Sequence, residues 1–215
     1  MKNILAKLFG RQEPGPFEVE LEAFKTLDAH APPQPGIILF LGSSSIRLWQ
    51  NLSGDMAPTP VLNRGFGGAT IADINDNFHR VAAPYRPRAI VFYAGDNDLE
   101  MGRPPSRVIT DFKRFLKLKA RDMGDVAVFF ISIKPAPARL HMKPLRDEVN
   151  WAVQALARQR GDLRYLDIET PMLGAEKLED LFLADGIHLS SAGYEVWCGT
   201  VRPALNEWMA MSASA

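Results

Sequence analysis

The sequence contains a single cysteine, Cys198, among its 215 residues. One thiol cannot form an intramolecular disulfide, so a disulfide framework and a cysteine-rich metal site are both excluded. An excess of one charge is also missing, because 25 Lys and Arg residues balance 25 Asp and Glu residues. A chain without net charge lacks the overall field that drives binding to nucleic acid or to an anionic membrane. We therefore expect no nucleic-acid partner, and a local basic patch stays an open alternative.

Long apolar runs are missing as well. The sequence has no stretch of the roughly 18 apolar residues that a membrane-spanning helix requires, so no membrane span is expected. Near the N-terminus, Lys7 interrupts the apolar run between Met1 and Phe9, which makes this segment a poor secretory signal. We therefore expect a cytoplasmic protein, and a signal peptide already removed from the chain stays an open alternative.

The first 36 residues differ in pattern from the rest of the chain. Two proline-rich stretches bracket Phe17, Leu21, Phe24 and Leu27, which recur at spacings of three and four residues. This spacing is typical of one face of a helix. The sequence therefore predicts an N-terminal extension with a short helix over residues 1–36 and a separate domain over residues 37–215.

From residue 37 onward, short apolar runs alternate with helical spacing. The runs predict five strands, at residues 37–41, 60–63, 89–93, 126–131 and 163–167. Between them, Ile71, Ile74, Phe78 and Val81 predict one helical face, and Thr70 begins it. We predict an α/β fold, a flavodoxin-like three-layer sandwich with a five-stranded parallel sheet. In such a sheet the functional site lies beyond the carboxyl ends of the strands.

Two small-residue segments follow the first two predicted strands. The first runs from Gly42 to Ser45, where a serine at a strand-to-helix turn would have free backbone N–H groups beside it. The second contains Gly65, Gly67 and Gly68, whose lack of side chains permits close backbone approach to a ligand. Taken alone, the first segment is more often a plain helix cap than a functional site. The second is equally consistent with a functional site and with a loop that needs positive φ angles.

Polar residues also follow the third strand and occupy a loop near the C-terminus. Asn97, between two aspartates, can donate its amide to an oxyanion, although such a segment alone is more often a turn. Asp185 precedes His188 by three residues and can accept the ring Nδ1–H, which would leave Nε2 facing a nucleophile. By itself this pair is equally consistent with a turn former and a surface histidine.

Together, the four segments resemble the SGNH (GDSL-like) hydrolase family, which is defined by four short blocks in this order. The first block is similar to residues 42–44, the second to residues 63–68, the third to residues 95–98 and the last to residues 185–188. The resemblance extends from Ile38 to Leu205, and the segment 92–99 is similar to small bacterial members. One departure is Ser43, which stands where the family usually has Asp directly before the nucleophile.

The resemblance implies the role of each site residue. Ser44 is expected to be the nucleophile, His188 the base and Asp185 the residue that orients the imidazole. The oxyanion hole is expected to comprise the backbone N–H groups of Ser44 and Gly68 and the side-chain amide of Asn97. Of the other histidines, only His141, in a proline-rich stretch, is a serious rival to His188.

A serine esterase that hydrolyses carboxylic esters through an acyl-enzyme is the function that this resemblance implies. Such chemistry requires no metal and no cofactor. The expected partner is a small-molecule ester, with acylated sugars and lipids among the candidates. Two alternatives stay open, namely an acyltransferase that uses the same three residues and a non-catalytic module that binds esters or glycans.

Two cations follow the fourth predicted strand and would lie at the rim of the site. Lys134 and Arg139 could meet an anionic group of the substrate, but a solvated loop is the interpretation that the sequence favours. Trp49 is expected in the core rather than in the substrate pocket. Cys198 is expected to be a small buried hydrophobe rather than a nucleophile.

Overall fold

The computed structural model describes residues 15–213. The chain divides into two compact units, and the division falls between Pro32 and Pro33. The first unit contains helix α1, Glu18–His30, where the apolar spacing predicts a helix. The predicted boundary after residue 36 stays a prediction, and the N-terminal run from Met1 to Phe9 lies outside the described residues.

A parallel sheet forms the centre of the second unit. Its strands are β1 Ile38–Gly42, β2 Val61–Gly65, β3 Ala89–Tyr93, β4 Ala127–Ile131 and β5 Leu163–Leu166. Their order across the sheet is β2-β1-β3-β4-β5, and each neighbouring pair is parallel. This is the flavodoxin-like order, so the predicted α/β fold is confirmed, and each strand starts within one residue of its predicted position.

Helices cover both faces of the sheet. Successive strand residues point to opposite faces, so Phe40 packs on Trp49 at 5.7 Å between ring centroids, whereas Phe92 packs on Phe115 at 4.5 Å on the other side. Within residues 15–213 no helix combines the length and the apolar character needed to cross a membrane. The helices of this unit are α2 Ser44–Arg47, α3 Leu52–Asp55, α4 Ile71–Asp76, α5 Phe78–Val81, α6 Asp96–Glu100, α7 Pro105–Met123, α8 Lys143–Ala157, α9 Glu169–Leu173 and α10 Ser191–Ala213.

The helical face predicted from Ile71 to Val81 is divided between two short helices. Helix α4 ends at Asp76, and α5 begins after Asn77, although the four apolar residues of the pattern are all buried. Thr70 starts α4 by a reciprocal cap, in which its side chain accepts from the Asp73 N–H and the Asp73 carboxylate accepts from the Thr70 N–H. The apolar spacing is thus correct, but it does not reveal the break at Asn77.

A buried ion pair joins α7 to the start of β5. Lys119 continues the apolar face of α7, and its side chain is fully buried. Its ammonium donates to Asp162 Oδ2 at 2.7 Å and to the Gly124 carbonyl at 3.0 Å. Burial acts to raise the pKa of Asp162, but hydrogen bonds from Arg160 and Lys119 lower that pKa to about 2. The carboxylate is therefore ionised at neutral pH and balances the lysine.

Replacing Asp162 by alanine tests how much this ion pair contributes to the free energy of unfolding. The change leaves the Lys119 ammonium buried without its carboxylate, and breaking a buried pair in this way costs about 3 kcal/mol or more. We expect Asp162→Ala to lower the free energy of unfolding, measured by urea denaturation, by about that amount. The matched control is Asp76→Ala, because Asp76 pairs with Arg114 at the surface, where a pair contributes less than about 1 kcal/mol. Equal losses in the two variants would contradict this interpretation.

Candidate active site

Ser44 lies at the turn between β1 and helix α2. Ser43 precedes the helix in an extended conformation, and Ser44 is the first helical residue, buried at 9% exposure. The first N–H groups of a helix have no acceptor within the helix, so the Ser44 N–H is available to a ligand. A Cβ on Gly65 would lie 2.3 Å from the Arg47 backbone nitrogen. Glycine at that position therefore allows α2 to pack directly on the end of β2.

Asn63 holds the other end of helix α2. Its Nδ2 donates to the Ile46 carbonyl at 2.6 Å, and its Oδ1 accepts from the Gly65 N–H at 2.9 Å. The sequence places Asn63 at the end of the second predicted strand and in the glycine-rich block, and predicts no role for it. The available signal was a single polar amide within a predicted strand.

The loop before α10 brings a histidine to Ser44. His188 Nε2 lies 3.0 Å from Ser44 Oγ, and His188 Nδ1 lies 2.7 Å from Asp185 Oδ2. An ionised carboxylate can only accept, so the ring proton belongs on Nδ1, and Nε2 is left to accept from the serine hydroxyl. The structure thus brings together Ser44, His188 and Asp185, the three residues that the sequence proposes as nucleophile, base and orienting residue. His141, the rival histidine, lies in the separate segment Pro137–Met142.

Asp185 is fixed in the orientation that this contact requires. Its Oδ1 accepts from the backbone N–H groups of Ile187 and His188, at 2.8 and 2.9 Å. Burial acts to raise the pKa of Asp185, but these hydrogen bonds and the one from the imidazole lower that pKa to about 2. Asp185 therefore stays ionised across the range in which histidines titrate.

The loops after β2 and β3 are in contact with each other. Gly68 has a positive φ of 73°, a left-handed conformation that other residues rarely adopt. Asn97 Nδ2 donates one N–H to the Ala69 carbonyl at 3.1 Å, next to Gly68 in the chain. The amide has a second N–H that this contact does not use. The loops that carry Gly68 and Asn97 are thus in contact, and the role of both residues as oxyanion donors stays a prediction.

Residues 96–98 do not form the turn that the pattern alone favours. They begin helix α6, and Asp96 and Asp98 are both buried. Asp98 accepts from the Ile71 N–H at 3.1 Å and lies 3.1 Å from Arg103 Nη1. The carboxylate therefore ties α6 to the start of α4, directly after the glycine loop.

The solvated loop predicted after β4 is wrong. Residues 131–136 are buried, and Lys134 is 2% exposed. Its ammonium donates to Ser45 Oγ, to the Tyr93 hydroxyl and to Asp96 Oδ2, each at 2.9 Å. Because these three acceptors take all three N–H groups, Lys134 cannot bind an anionic substrate group either.

Trp49 has the environment that the sequence predicts, whereas Cys198 is less buried than expected. Trp49 is in the core, at 1% exposure, and stacks on Tyr194 at 5.2 Å between centroids. Cys198 is half-buried, and burial raises the pKa of its thiol, which favours the unreactive protonated form. Among residues 15–213 no three His, Cys, Asp or Glu side chains are grouped so that they could hold a metal ion.

A cleft of about 420 Å³ lies between the segment after α2 and the loop that carries His188. Its walls combine apolar and polar side chains, which suits a ligand with both characters. The lining residues are Leu48, Trp49, Gln50, Asn51, Asp55, Leu183, Leu189, Ser190, Ser191, Tyr194 and Glu195.

Comparison with known proteins identifies one matching family. Residues 41–196 match the model of the GDSL-like lipase/acylhydrolase family. No curated protein matches the chain.

Several solved structures share the fold. A Bacteroides fragilis protein named as an acylhydrolase is 20% identical with a TM-score of 0.75, covering 87% of this chain and 96% of its own. A GDSL-like lipase from Bacteroides thetaiotaomicron is 18% identical with a TM-score of 0.73, over 87% and 97%. A carbohydrate esterase of family 3 from Talaromyces cellulolyticus is 18% identical with a TM-score of 0.64, over 80% and 97%. At these identities the likeness shows the fold.

The buried carboxyl of Asp98 predicts a pH-dependent stability. Burial raises its pKa to about 6, although the Ile71 N–H and Arg103 act to lower it. In the unfolded chain an aspartate has a pKa of about 4, so the folded state binds this proton more tightly. The resulting stabilisation is complete below about pH 4 and is lost as the pH rises through about 6.

The Asp98→Asn variant isolates this contribution, because its side chain has no proton to lose. We expect the free energy of unfolding of the wild type, relative to that of Asp98→Asn, to fall between about pH 4 and pH 7. Urea denaturation of both proteins across this range measures the difference. A difference that stays constant or grows with pH would show that burial does not govern this carboxyl.

Proposed function

The chain belongs to the GDSL-like lipase/acylhydrolase family and is a hydrolase of ester bonds, and from this premise we propose that it cleaves carboxylic esters through an acyl-enzyme on Ser44. The observation that carries the proposal is the continuous contact of three side chains. Asp185, His188 and Ser44 are linked by distances of 2.7 and 3.0 Å. A serine hydroxyl is a weak nucleophile until an adjacent base accepts its proton, and this arrangement supplies that base.

In the first half-reaction, Ser44 Oγ attacks the ester carbonyl carbon while His188 Nε2 takes the hydroxyl proton. Asp185 keeps the imidazole oriented and stabilises the imidazolium that forms. The C–O bond to the alcohol then breaks, and the imidazolium returns the proton to the leaving oxygen. The products of this step are a free alcohol and an acyl group esterified to Ser44.

Hydrolysis of the acyl-enzyme reverses these roles. A water molecule attacks the acyl carbon while His188 Nε2 accepts one of its protons. The tetrahedral intermediate collapses, Ser44 leaves with the proton from the imidazolium, and the carboxylic acid is released. No step consumes a cofactor, because the three side chains supply both the nucleophile and the proton transfers.

Negative charge builds on the carbonyl oxygen during both attacks. The N–H groups of Ser44 and Gly68 and the second N–H of the Asn97 amide are the donors that we propose for it. Fixed donors stabilise an oxyanion more than the carbonyl oxygen of the bound ester, since the charge develops only in the transition state. This difference in binding lowers the barrier.

The substrate class that we propose is a small-molecule carboxylic ester. A panel of esters that varies the acyl length and includes acetylated sugars would identify the preferred class. Comparing transfer to added alcohols with hydrolysis in the same panel separates a hydrolase from an acyltransferase.

Replacing Ser44 by alanine tests the proposed nucleophile. Loss of the nucleophile costs on the order of 10⁶ in kcat in other serine hydrolases, and we expect Ser44→Ala to abolish ester hydrolysis while its melting temperature changes little. The matched control is Ser43→Ala, because Ser43 Oγ is buried and has no hydrogen-bond partner within the described part of the chain. If Ser44→Ala keeps its turnover while Ser43→Ala loses it, the nucleophile is wrongly assigned.

Asp185→Asn tests the orientation of the histidine. Asparagine retains an oxygen that can accept from the Ile187 and His188 N–H groups, so the loop should keep its shape. It no longer presents a carboxylate to the imidazole, and the same change in another serine hydrolase lowers kcat by about 10⁴. We expect a loss of that order in kcat with little change in melting temperature. A variant with nearly full kcat would remove Asp185 from the mechanism.

A further inference from the structure

Arg139 contacts the side chain that we propose as the amide donor of the oxyanion hole. Its Nη1 donates to Asn97 Oδ1 at 3.2 Å and also lies 3.1 Å from Asp96 Oδ2. The Arg139 side chain is only 12% exposed. Its guanidinium thus contacts Asn97 and Asp96 within the protein and is not directed toward an anionic substrate group.

This contact fixes which way the Asn97 amide faces. With Oδ1 held by the guanidinium, Nδ2 is directed to the Ala69 carbonyl, which accepts one N–H at 3.1 Å. A rotation of the amide by half a turn would place its NH₂ against the guanidinium donor and its oxygen against the Ala69 carbonyl. Both contacts would then be repulsive, since an arginine can only donate and a carbonyl can only accept.

A buried network holds Arg139 in turn. Asp96 accepts from Lys134 and from the Tyr93 hydroxyl, at 2.9 and 3.2 Å. Burial acts to raise the pKa of Asp96, but the Lys134 and Arg139 cations outweigh it and lower that pKa below its usual value. Asp96 is therefore a fixed anion, and it anchors the guanidinium from within the protein.

We propose that Arg139 is a positioning residue for ester hydrolysis, which holds the Asn97 amide by its oxygen so that the free Nδ2–H faces the oxyanion. This inference rests on the proposed function. Arg139 does not contact the substrate, and its effect passes through Asn97. A displacement of about 1 Å in a catalytic group can cost about 10²-fold in rate. The orientation of one amide is therefore sufficient to affect turnover.

A double-mutant cycle tests the proposal on the full chain. Asn97→Ala removes the donor, which should lower kcat by about 10²–10³-fold. Arg139→Gln leaves the donor in place but releases its oxygen, so we expect a loss in kcat between about 10-fold and that of Asn97→Ala, with KM little changed. Once Asn97 is absent, Arg139 has nothing to position. The double variant should then have the same kcat as Asn97→Ala alone.

Two control variants and the melting temperatures distinguish a positioning role from an effect of charge and from unfolding. Glu100→Gln changes the half-exposed carboxylate 3.3 Å from Arg139 Nε without touching Asn97, and its kcat should stay near that of the wild type. Arg139→Lys keeps the charge but lacks the planar guanidinium that reaches both Asp96 and Asn97, so its kcat should also fall. Melting temperatures of all variants, with assays well below them, exclude losses caused by unfolding.

The outcomes distinguish this proposal from the proposed function. If Ser44→Ala keeps its activity in the same assays, the proposed function fails and the positioning role fails with it. If Ser44→Ala is inactive and the losses of Asn97→Ala and Arg139→Gln simply multiply in the double variant, only the positioning role is overturned. Full kcat in both Arg139→Gln and Arg139→Lys would overturn it as well.

Discussion

The position of β1 between β2 and β3 is the constraint on which the site depends. In the parallel register Gly42 is opposite both Gly65 and Tyr93, so the three strands end at the same level. Ser44, Gly68 and Asn97 each follow one of these ends by two to four residues, which fixes their separation before any side chain makes a contact. Backbone hydrogen bonds and side-chain packing on both faces define this register. A slip of one residue would move every side chain of the strand to the opposite face of the sheet and break that packing.

The buried charged groups near the site contribute less to stability than the apolar core does. Lys134 and Asp96 are almost completely buried, and such a pair gains little stability, since the cost of removing both charges from water offsets their attraction. Stability comes from the two apolar faces of the sheet. What the network adds is fixed geometry, because Lys134 has each of its three N–H groups on a different acceptor.

Most of the fold, and the residues proposed for the site, could be predicted because their signals are local. Strands β1, β3 and β4 are short apolar runs, and each block of the site follows a strand or lies in one loop. The environments of Lys134 and Arg139 could not be predicted in this way. Lys134 follows β4 in a proline-rich segment that looks solvated, and its burial depends on Asp96, which lies 38 residues earlier in the chain. A partner so far away leaves no periodic pattern.

The segment Asp96–Asp98 has the composition of a turn but forms part of a helix. Acidic and amide residues after a strand usually make a turn, but here they form the first turn of α6, where successive side chains point about 100° apart. Asp96 therefore faces Lys134 and Arg139, Asn97 faces Ala69, and Asp98 faces Ile71. Three neighbouring residues thus join the loops that follow β2 and β4 to the end of β3. A flexible turn could not hold these contacts at once, whereas one helical turn fixes the directions of all three side chains, including the two that share Arg139.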